Sequence, residues 1–217
     1  MIDHNRILSV LKEDATFIGI EDYFRAAVLL PLLWFNNQFH VLFEERSANI
    51  KQGGEICFPG GKFEPEKDHN FKDTALRETC EELNIDENLI EYYGYQGLMV
   101  APMGAAIDCF VGRIHLDSIK DINFVKSEVE KIFTIPLQWF IDNEPEIYGV
   151  NVKVENFIQL PDGQLKTILP VKELNLPQRY QKPWGNKQHK VLVYRTNHGT
   201  LWGLTARIVY DFAKRLR

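Results

Sequence analysis

The sequence predicts an α/β domain, and three observations carry that reading. Phe24 to Phe35 is a nearly continuous apolar run, which reads as a buried strand, and Phe39 to Glu45 returns beside it across an Asn36-Asn37 turn. Between Phe71 and Leu83 the apolar residues Phe71, Ala75, Leu76, Cys80 and Leu83 recur at helical spacing. The same period returns near the end of the chain, where Leu201 to Ala206 leads into a helix to about Leu216 with Ile208, Val209, Phe212 and Ala213 on its inner side.

The remaining elements follow in order. Asp3 is placed to cap a helix over His4 to Glu13, giving residues 1–20 the character of a helical extension. Pro31 inside the first strand marks a bulge or an edge. Arg46 to Gly54 is a polar, glycine-ended loop leading into a strand over Glu55 to Phe58. After the central helix, Glu91 to Gly97 and Ile107 to His115 read as strands. Leu98 to Ala106, with Pro102 and Gly104, reads as a loop, and Asp117 to Val125 as a polar connection. Ser127 to Leu137 reads as a loop, a strand through Ile135 and a helix opened by Pro136. In residues 143–190, an insertion within one domain of residues 1–217, Asn151 to Phe157 and Gln164 to Val171 pair as a hairpin across Pro161-Asp162-Gly163. Gln178 to Gln188 reads as irregular, with Tyr180 and Trp184 either core residues or walls of a pocket, and Lys190 to Tyr194 as a short strand.

Composition bounds the function. The chain has 217 residues, 45% of them hydrophobic, which supports a packed core rather than disorder. A net charge of −5 gives no general basic footprint for nucleic acid. No apolar run reaches the length of a membrane span, and the N-terminus shows no basic-then-apolar signal. The last residues, Arg215-Leu216-Arg217, are not a peroxisomal address. Cys57, Cys80 and Cys109 lie in apolar contexts without Cys-x-x-Cys spacing, as reduced core thiols would. The expectation is a cytoplasmic protein with neither nucleic acid nor membrane as partner; a homodimer is compatible with it.

Chemistry concentrates in the stretch from Phe58 to Ile85. Glu78, Glu81 and Glu82 stand at i, i+3 and i+4, one turn apart on a helix, where like charges repel. A solvated acidic face accounts for a lone pair of this kind. Three carboxylates behind a Phe58-Pro59-Gly60-Gly61 turn instead suit a hard divalent cation, Mg²⁺ or Mn²⁺, which takes oxygen ligands.

Phe58-Pro59-Gly60-Gly61, followed by Arg77-Glu78-Thr79-Cys80-Glu81-Glu82-Leu83-Asn84-Ile85, resembles the Nudix box, G-x5-E-x7-R-E-U-x-E-E-x-G-U with U aliphatic. Thr79 replaces an aliphatic residue, and Asn84 replaces the box glycine, a change a left-handed helix cap accepts. Gly61 to Arg77 is sixteen positions where the box has fourteen. The first box glutamate therefore has no unique equivalent, and Glu64, Glu66 and Asp68 are its nearby substitutes.

The flanks resemble the coenzyme A pyrophosphatase branch of the same family. Leu42-Phe43-Glu44-Glu45-Arg46-Ser47, Lys51 and Gly54-x3-Phe58-Pro59-Gly60-Gly61 are similar to L-L-T-x-R-S-x3-R-x3-G-x3-F-P-G-G, with Glu44 in place of Thr, Lys51 in place of the second Arg and one residue fewer between Lys51 and Gly54. Pro102-Met103-Gly104 is similar to a Pro-x-x-Gly segment that follows the box in that branch, one residue shorter here. Glu128-Val129-Glu130-Lys131-Ile132-Phe133-Thr134-Ile135-Pro136-Leu137 resembles E-V-x-x-V-F-x-V-P-L, and Leu201-Trp202-Gly203-Leu204-Thr205-Ala206 a closing I-W-G-x-T-A.

The resemblance implies a Nudix fold, an α/β/α sandwich around a mixed sheet with the box helix on one face. It also implies hydrolysis of the pyrophosphate of a nucleoside diphosphate derivative. Glu78, Glu81 and Glu82 are the expected metal ligands, with a carbonyl from Gly60 or Gly61. Arg77 orients them through an ion pair to Asp73 or a loop acid. The base is Glu82 or Glu128, with Glu130 a weaker alternative. Arg46 and Lys51 are candidates for substrate phosphates, and Gly61 and Pro102 for further substrate contacts. Coenzyme A would yield 3',5'-ADP and 4'-phosphopantetheine. Relatives acting on ADP-ribose, dinucleoside polyphosphates or oxidised nucleoside triphosphates share the box but not all the flanks. A non-catalytic nucleotide sensor would be expected to have lost box carboxylates, which this chain keeps.

Overall fold

The computed structural model describes residues 17–217, apart from the side chain of Asn186. The expected helix over His4 to Glu13 lies outside the described residues.

The first hairpin forms as its sequence dictates. β1 (Phe24–Phe35) and β2 (Gln38–Arg46) join through Asn36 and Asn37, both at positive φ (51° and 59°), the conformation that lets a tight turn match strand twist. A seven-stranded sheet grows around them in the order β3-β2-β1-β6-β5. It contains β3 (Ile56–Cys57), β5 (Ile90–Ala101) and β6 (Ala105–Ile114), with β4 (Gly60–Lys62) beside β1 and β7 (Val129–Pro136) beside β2. β1 and β6 run parallel and the other pairs antiparallel, so the sheet is mixed.

Side-chain alternation gives this sheet two buried faces. Ala27, Leu29 and Leu33 of β1 and Leu42 of β2 face α1 (Phe71–Leu83), whose Ala75 and Leu83 join them. Leu30, Leu32, Val41 and Phe43 face the other way, against α2 (Leu137–Asp142) and α3 (Gly203–Lys214). The result is an α/β/α sandwich, and among the described residues α1 is the one α-helix on its face. A second, three-stranded sheet of β8 (Glu146–Val154), β11 (Trp184–Thr196) and β12 (Gly199–Trp202) packs beside α3 and supplies Leu192, Tyr194 and Leu201 to the same core.

The sheet is forked, and the fork positions the site. β1 pairs with β2 only from Leu32 to Phe35, and with β4 from Ala26 to Val28. Beyond the fork β2 pairs instead with β3, Glu44 opposite Cys57. The Phe58-Pro59 link therefore lies between the two diverging strands, and the Leu29 amide donates to the Pro59 carbonyl at 3.1 Å. Pro31 falls between the two ladders of a central strand. It is neither at a sheet edge nor in a bulge; the fork itself is where one side of β1 has no ladder partner.

Other expectations are corrected by strand length. Leu98 to Ala106 is mostly strand: β5 and β6 continue to Ala101 and from Ala105, leaving only a tight turn at Pro102-Met103-Gly104. The loop signals of Pro102 and Gly104 belong to that turn alone, and β5 runs up to it in register from Gly97 to Ala101. Asn151 belongs to β8, which pairs with β11; the Pro161-Asp162-Gly163 turn joins only the short β9 (Phe157–Gln159) and β10 (Leu165–Thr167). The strand expected over Lys190 to Tyr194 is the centre of β11, which starts at Trp184.

Gly60 occupies the fork with φ 154°, and a Cβ there would lie 2.3 Å from the Ala27 carbonyl and 2.7 Å from the Val28 Cα. Both obstacles are backbone, which cannot swing aside. Gly60→Ala is predicted to cost at least about 2 kcal/mol of stability, measured as a lower denaturant midpoint with unchanged slope.

Candidate active site

α1 begins with Asn70, whose side-chain oxygen accepts from the Lys72 and Asp73 amides. It ends at Asn84, which takes the left-handed cap conformation at φ 48°. Its inner face differs from the expected stripe in two ways. Thr74, Thr79 and Glu82 are buried with Ala75, Leu76 and Leu83, whereas Cys80 is only half-buried. The threonines tolerate burial because each hydroxyl is satisfied, Thr79 donating to the Ala75 carbonyl at 2.6 Å and Thr74 to Asp68 at 2.9 Å.

The three carboxylates are not equivalent. Glu81 is exposed, Glu78 half-buried, and Glu82 only 4% exposed. Glu82 points into the fork and accepts the Gly60 amide at 2.9 Å. Burial, followed by the charge of Glu44, pushes the Glu82 carboxyl well above the ordinary carboxylate range, and burial raises Glu78 as well. Gly61 lies against Glu78; a Cβ there would meet its carboxylate at 2.4–2.6 Å.

Arg77 organises the outer half of the site. Its guanidinium holds Asp68 through Nε at 2.8 Å and Nη2 at 3.1 Å, and reaches Glu78 at 2.9 Å and Glu81 at 3.1 Å. The partner is thus Asp68, and Asp73 is occupied elsewhere, accepting from the His69 amide and the Asn70 side chain. Asp68 is 3% exposed and also accepts the Thr74 hydroxyl and the Glu64 amide. The Arg77 hydrogen bonds are the main reason its carboxyl lies far below the usual range. Of the three substitutes for the first box glutamate, Asp68 is the acid that ties the loop to the helix; Glu64 instead pairs with Lys67 on the surface.

Glu128 is exposed, on the loop between Val125 and β7. That loop is pinned to the site at both ends, since the Val125 amide donates to the Glu82 carbonyl at 2.9 Å and the Ser47 amide to the Glu128 carbonyl at 2.8 Å. Its charge is felt by both Glu44 and Glu78. Glu130 is exposed on β7. Arg46 donates through Nε to the Lys51 carbonyl at 3.2 Å, so Lys51 contributes its backbone to hold Arg46 while its own side chain is exposed.

Two cavities meet beside this site. One, of about 240 Å³, is lined by Arg46, Cys57, Phe58 and Gly60. The other, of about 500 Å³, has apolar walls from Met99, Pro102, Val150 and Trp202, with Lys153, Lys190 and Arg207 also lining it. Met103, Trp202, Gly203 and Leu204 belong to both, making one trough. Tyr180 and Trp184 pack edge-to-face on each other, with ring centroids 5.2 Å apart.

Sequence reasoning missed Glu44. It is 1% exposed, and its Oε1 accepts the Cys57 thiol at 3.2 Å. Burial raises its carboxyl to about 7. The available signal was an acidic residue directly after the apolar run Val41-Leu42-Phe43, on a strand with both faces covered.

The donor set suits a hard divalent cation. Glu78, Glu81, Glu82 and Glu44 offer oxygens only, and one buried oxygen of Glu44 has no partner. Among the described residues no three such side chains already converge on one point.

Against this geometry the comparisons with known proteins are direct. The family model described as NUDIX domain matches residues 23–184, and the chain belongs to that family. Relatives include the mouse peroxisomal coenzyme A diphosphatase NUDT7, 33% identical over 127 residues, which are 56% of this chain and 50% of that one. They also include an uncharacterized Nudix hydrolase NudL of Photorhabdus laumondii, 28% identical over 88% of this chain and 84% of the relative. The match to the mouse relative thus spans half its length. Among solved structures, a Caenorhabditis elegans Ap4A hydrolase complex aligns with a TM-score of 0.45 and 18% identity, over 54% of this chain and 83% of that one. Among the described residues no helix is long and apolar enough to cross a membrane.

Two pH effects of opposite sign follow for the metal-free protein. Asp68 has a lowered folded-state pKa, so its stabilisation is present above its unfolded value of about 4 and is lost as pH falls below it. Glu44 and Glu82 have raised values, so the folded state binds more protons and stability declines as pH rises above about 4.3 and through neutrality. Chelator-treated protein is predicted to melt highest in mildly acidic buffer. Asp68→Asn, which leaves Arg77 without its main partner, is predicted to cost about 3 kcal/mol, read from denaturant unfolding at neutral pH.

Proposed function

We propose that the protein is a metal-dependent pyrophosphohydrolase acting on a nucleoside diphosphate derivative, most specifically coenzyme A or its derivatives. The observation that carries the reading is the carboxylate face of α1, buried at Glu82 and set against the Gly60-Gly61 turn, opening beside a trough with a cationic approach at Arg46.

Glu78, Glu81 and Glu82 would hold Mg²⁺ or Mn²⁺, together with a glycine carbonyl of the turn. When bound, the cation neutralises diphosphate charge and makes water a competent nucleophile near neutral pH. The chain's own groups supply the rest. Arg77 is a positioning residue, tying Glu78 and Glu81 to the buried Asp68. Arg46 binds phosphate oxygens at the cleft wall. Glu128, exposed and electrostatically linked to Glu78 and Glu44, takes the proton from the attacking water. Water adds to one phosphorus, the bond from that phosphorus to the bridging oxygen breaks, and two products leave, each ending in a phosphomonoester where the diphosphate was cut.

For coenzyme A those products are 3',5'-ADP and 4'-phosphopantetheine. The trough supports this substrate class because a molecule cut at the Gly60 end must carry a long substituent to use the second chamber. Apolar walls there suit a pantetheine arm, which passes over Trp202 and Met103. The mouse relative's name, a coenzyme A diphosphatase, points the same way.

Glu82→Gln is predicted to leave the fold intact and lower kcat by about 10³-fold or more; near-normal turnover with Mn²⁺ would remove Glu82 from the chemistry. Trp202→Ala is predicted to raise KM for coenzyme A several-fold with kcat little changed, the pattern expected when a ground-state contact is lost. The substrate class is tested by mass-spectrometric product analysis on a mixed pool of coenzyme A, ADP-ribose and dinucleoside polyphosphates. Cleavage of ADP-ribose far faster than coenzyme A would overturn the coenzyme A assignment and leave the pyrophosphohydrolase standing.

A further inference from the structure

We infer that Glu44, on β2, is a further acidic ligand of the divalent cation, sharing it with Glu82 from across the fork. Side-chain alternation sets the direction: Leu42 of β2 packs with Leu83 of α1, so Glu44, two residues on, faces the same helix. Glu82 immediately precedes Leu83 and is turned into the same fork.

The state of the Glu44 side chain supports a ligand role. It is 1% exposed, so water does not solvate its charge. One oxygen accepts the Cys57 thiol, and the other, Oε2, is buried without a hydrogen-bond partner. A thiol is a weak donor and satisfies little of a carboxylate. Arg46, two residues further along the same strand, directs its Nε to the Lys51 carbonyl instead. An unpaired carboxylate oxygen in the interior costs free energy unless something positive meets it. No cationic side chain among the described residues fills that role, and a divalent cation between Glu44 and Glu82 fills it for both.

The inference rests on the reading that this site holds a divalent cation, and it is independent of which nucleotide is cleaved. The test is Mn²⁺ binding followed by electron paramagnetic resonance and by calorimetry, without substrate, for wild type, Glu44→Gln and Glu82→Gln. Glu44→Gln is isosteric and removes an unpaired buried charge, so the metal-free variant is expected to melt no lower than wild type. Its Mn²⁺ affinity is expected to fall by about tenfold or more, because ligand charge sets the affinity of such sites. Mn²⁺ binding at wild-type strength would overturn the inference. A Glu82→Gln protein that loses binding beside a Glu44→Gln protein that keeps it shows the metal site standing and Glu44 outside it. Wild type that binds no Mn²⁺ defeats both readings. Should Glu44→Gln fail to fold, Glu44→Asp keeps the charge but shortens its reach: weakened Mn²⁺ binding supports the assignment, and unchanged binding overturns it.

Discussion

The ion pair between Asp68 and Arg77 is the constraint on which the site depends. It joins the loop after the glycine turn to the middle of α1. With Asp68 1% and Arg77 17% exposed at their side chains, it is held where solvent screens it little. The remaining guanidinium donors then fix Glu78 and Glu81, so one buried acid sets the position of two exposed or half-exposed ones. A longer loop before the helix changes little, because what the geometry requires is a carboxylate at that point in space rather than at a fixed count along the chain.

The inner half of the site is organised by a different balance. Glu82 and Glu44 are placed where their charges are costly, at a fork between strands that has room for backbone but not for side chains. The glycine pair follows from that shortage of room: at Gly60 the obstacle is the β1 backbone, and at Gly61 it is the Glu78 carboxylate itself. The fold therefore holds two mutually repelling acids in place by the surrounding core. Leu42 and Leu83, both fully buried beside them, are part of the packing that offsets the repulsion. Such stored electrostatic cost is found at functional sites because a ligand can relieve it.

Much of this was legible in the sequence. The helix, its asparagine cap, the first hairpin and the mixed α/β sandwich follow from periodicity, turn chemistry and the family resemblance, since these are local signals. Non-local pairings were not legible. Asp68 could not be separated from Glu64 and Glu66 because its role depends on a side chain nine residues away on another element. Glu44 read as a departure from a family motif rather than as a site residue, because nothing local reveals that α1 covers its face of β2. The length of β5 was underestimated because the loop signals of Pro102 and Gly104 were extended back over Leu98 to Ala101, and that of β11 because a bulge at Trp184/Lys187 and polar residues interrupt its alternation, which also gave Asn151 the wrong strand partner. Pro31 looked like an edge marker because a fork in a central strand satisfies the same physical requirement as an edge.

The chemistry and the selectivity of the proposed reaction reside on different parts of the fold. The carboxylates belong to α1 and the fork, whereas the trough that would choose the substrate is walled by the β5–β6 turn, the start of α3 and the second sheet. Trp202 is where these parts meet, at the end of β12 and immediately before α3, and it is 48% exposed. A large aromatic ring left exposed between two cavities gains little for folding, so a structural role explains it poorly. As the shared wall of a trough it suits the proposed reaction, in which a long substrate would lie over it with its diphosphate at the carboxylates. Among the described residues none of those walls shares a hydrogen bond or ion pair with Arg77, Glu78 or Glu82, so in the proposed reaction changes in the second sheet and the β5–β6 turn would alter which nucleotide is accepted without disturbing them.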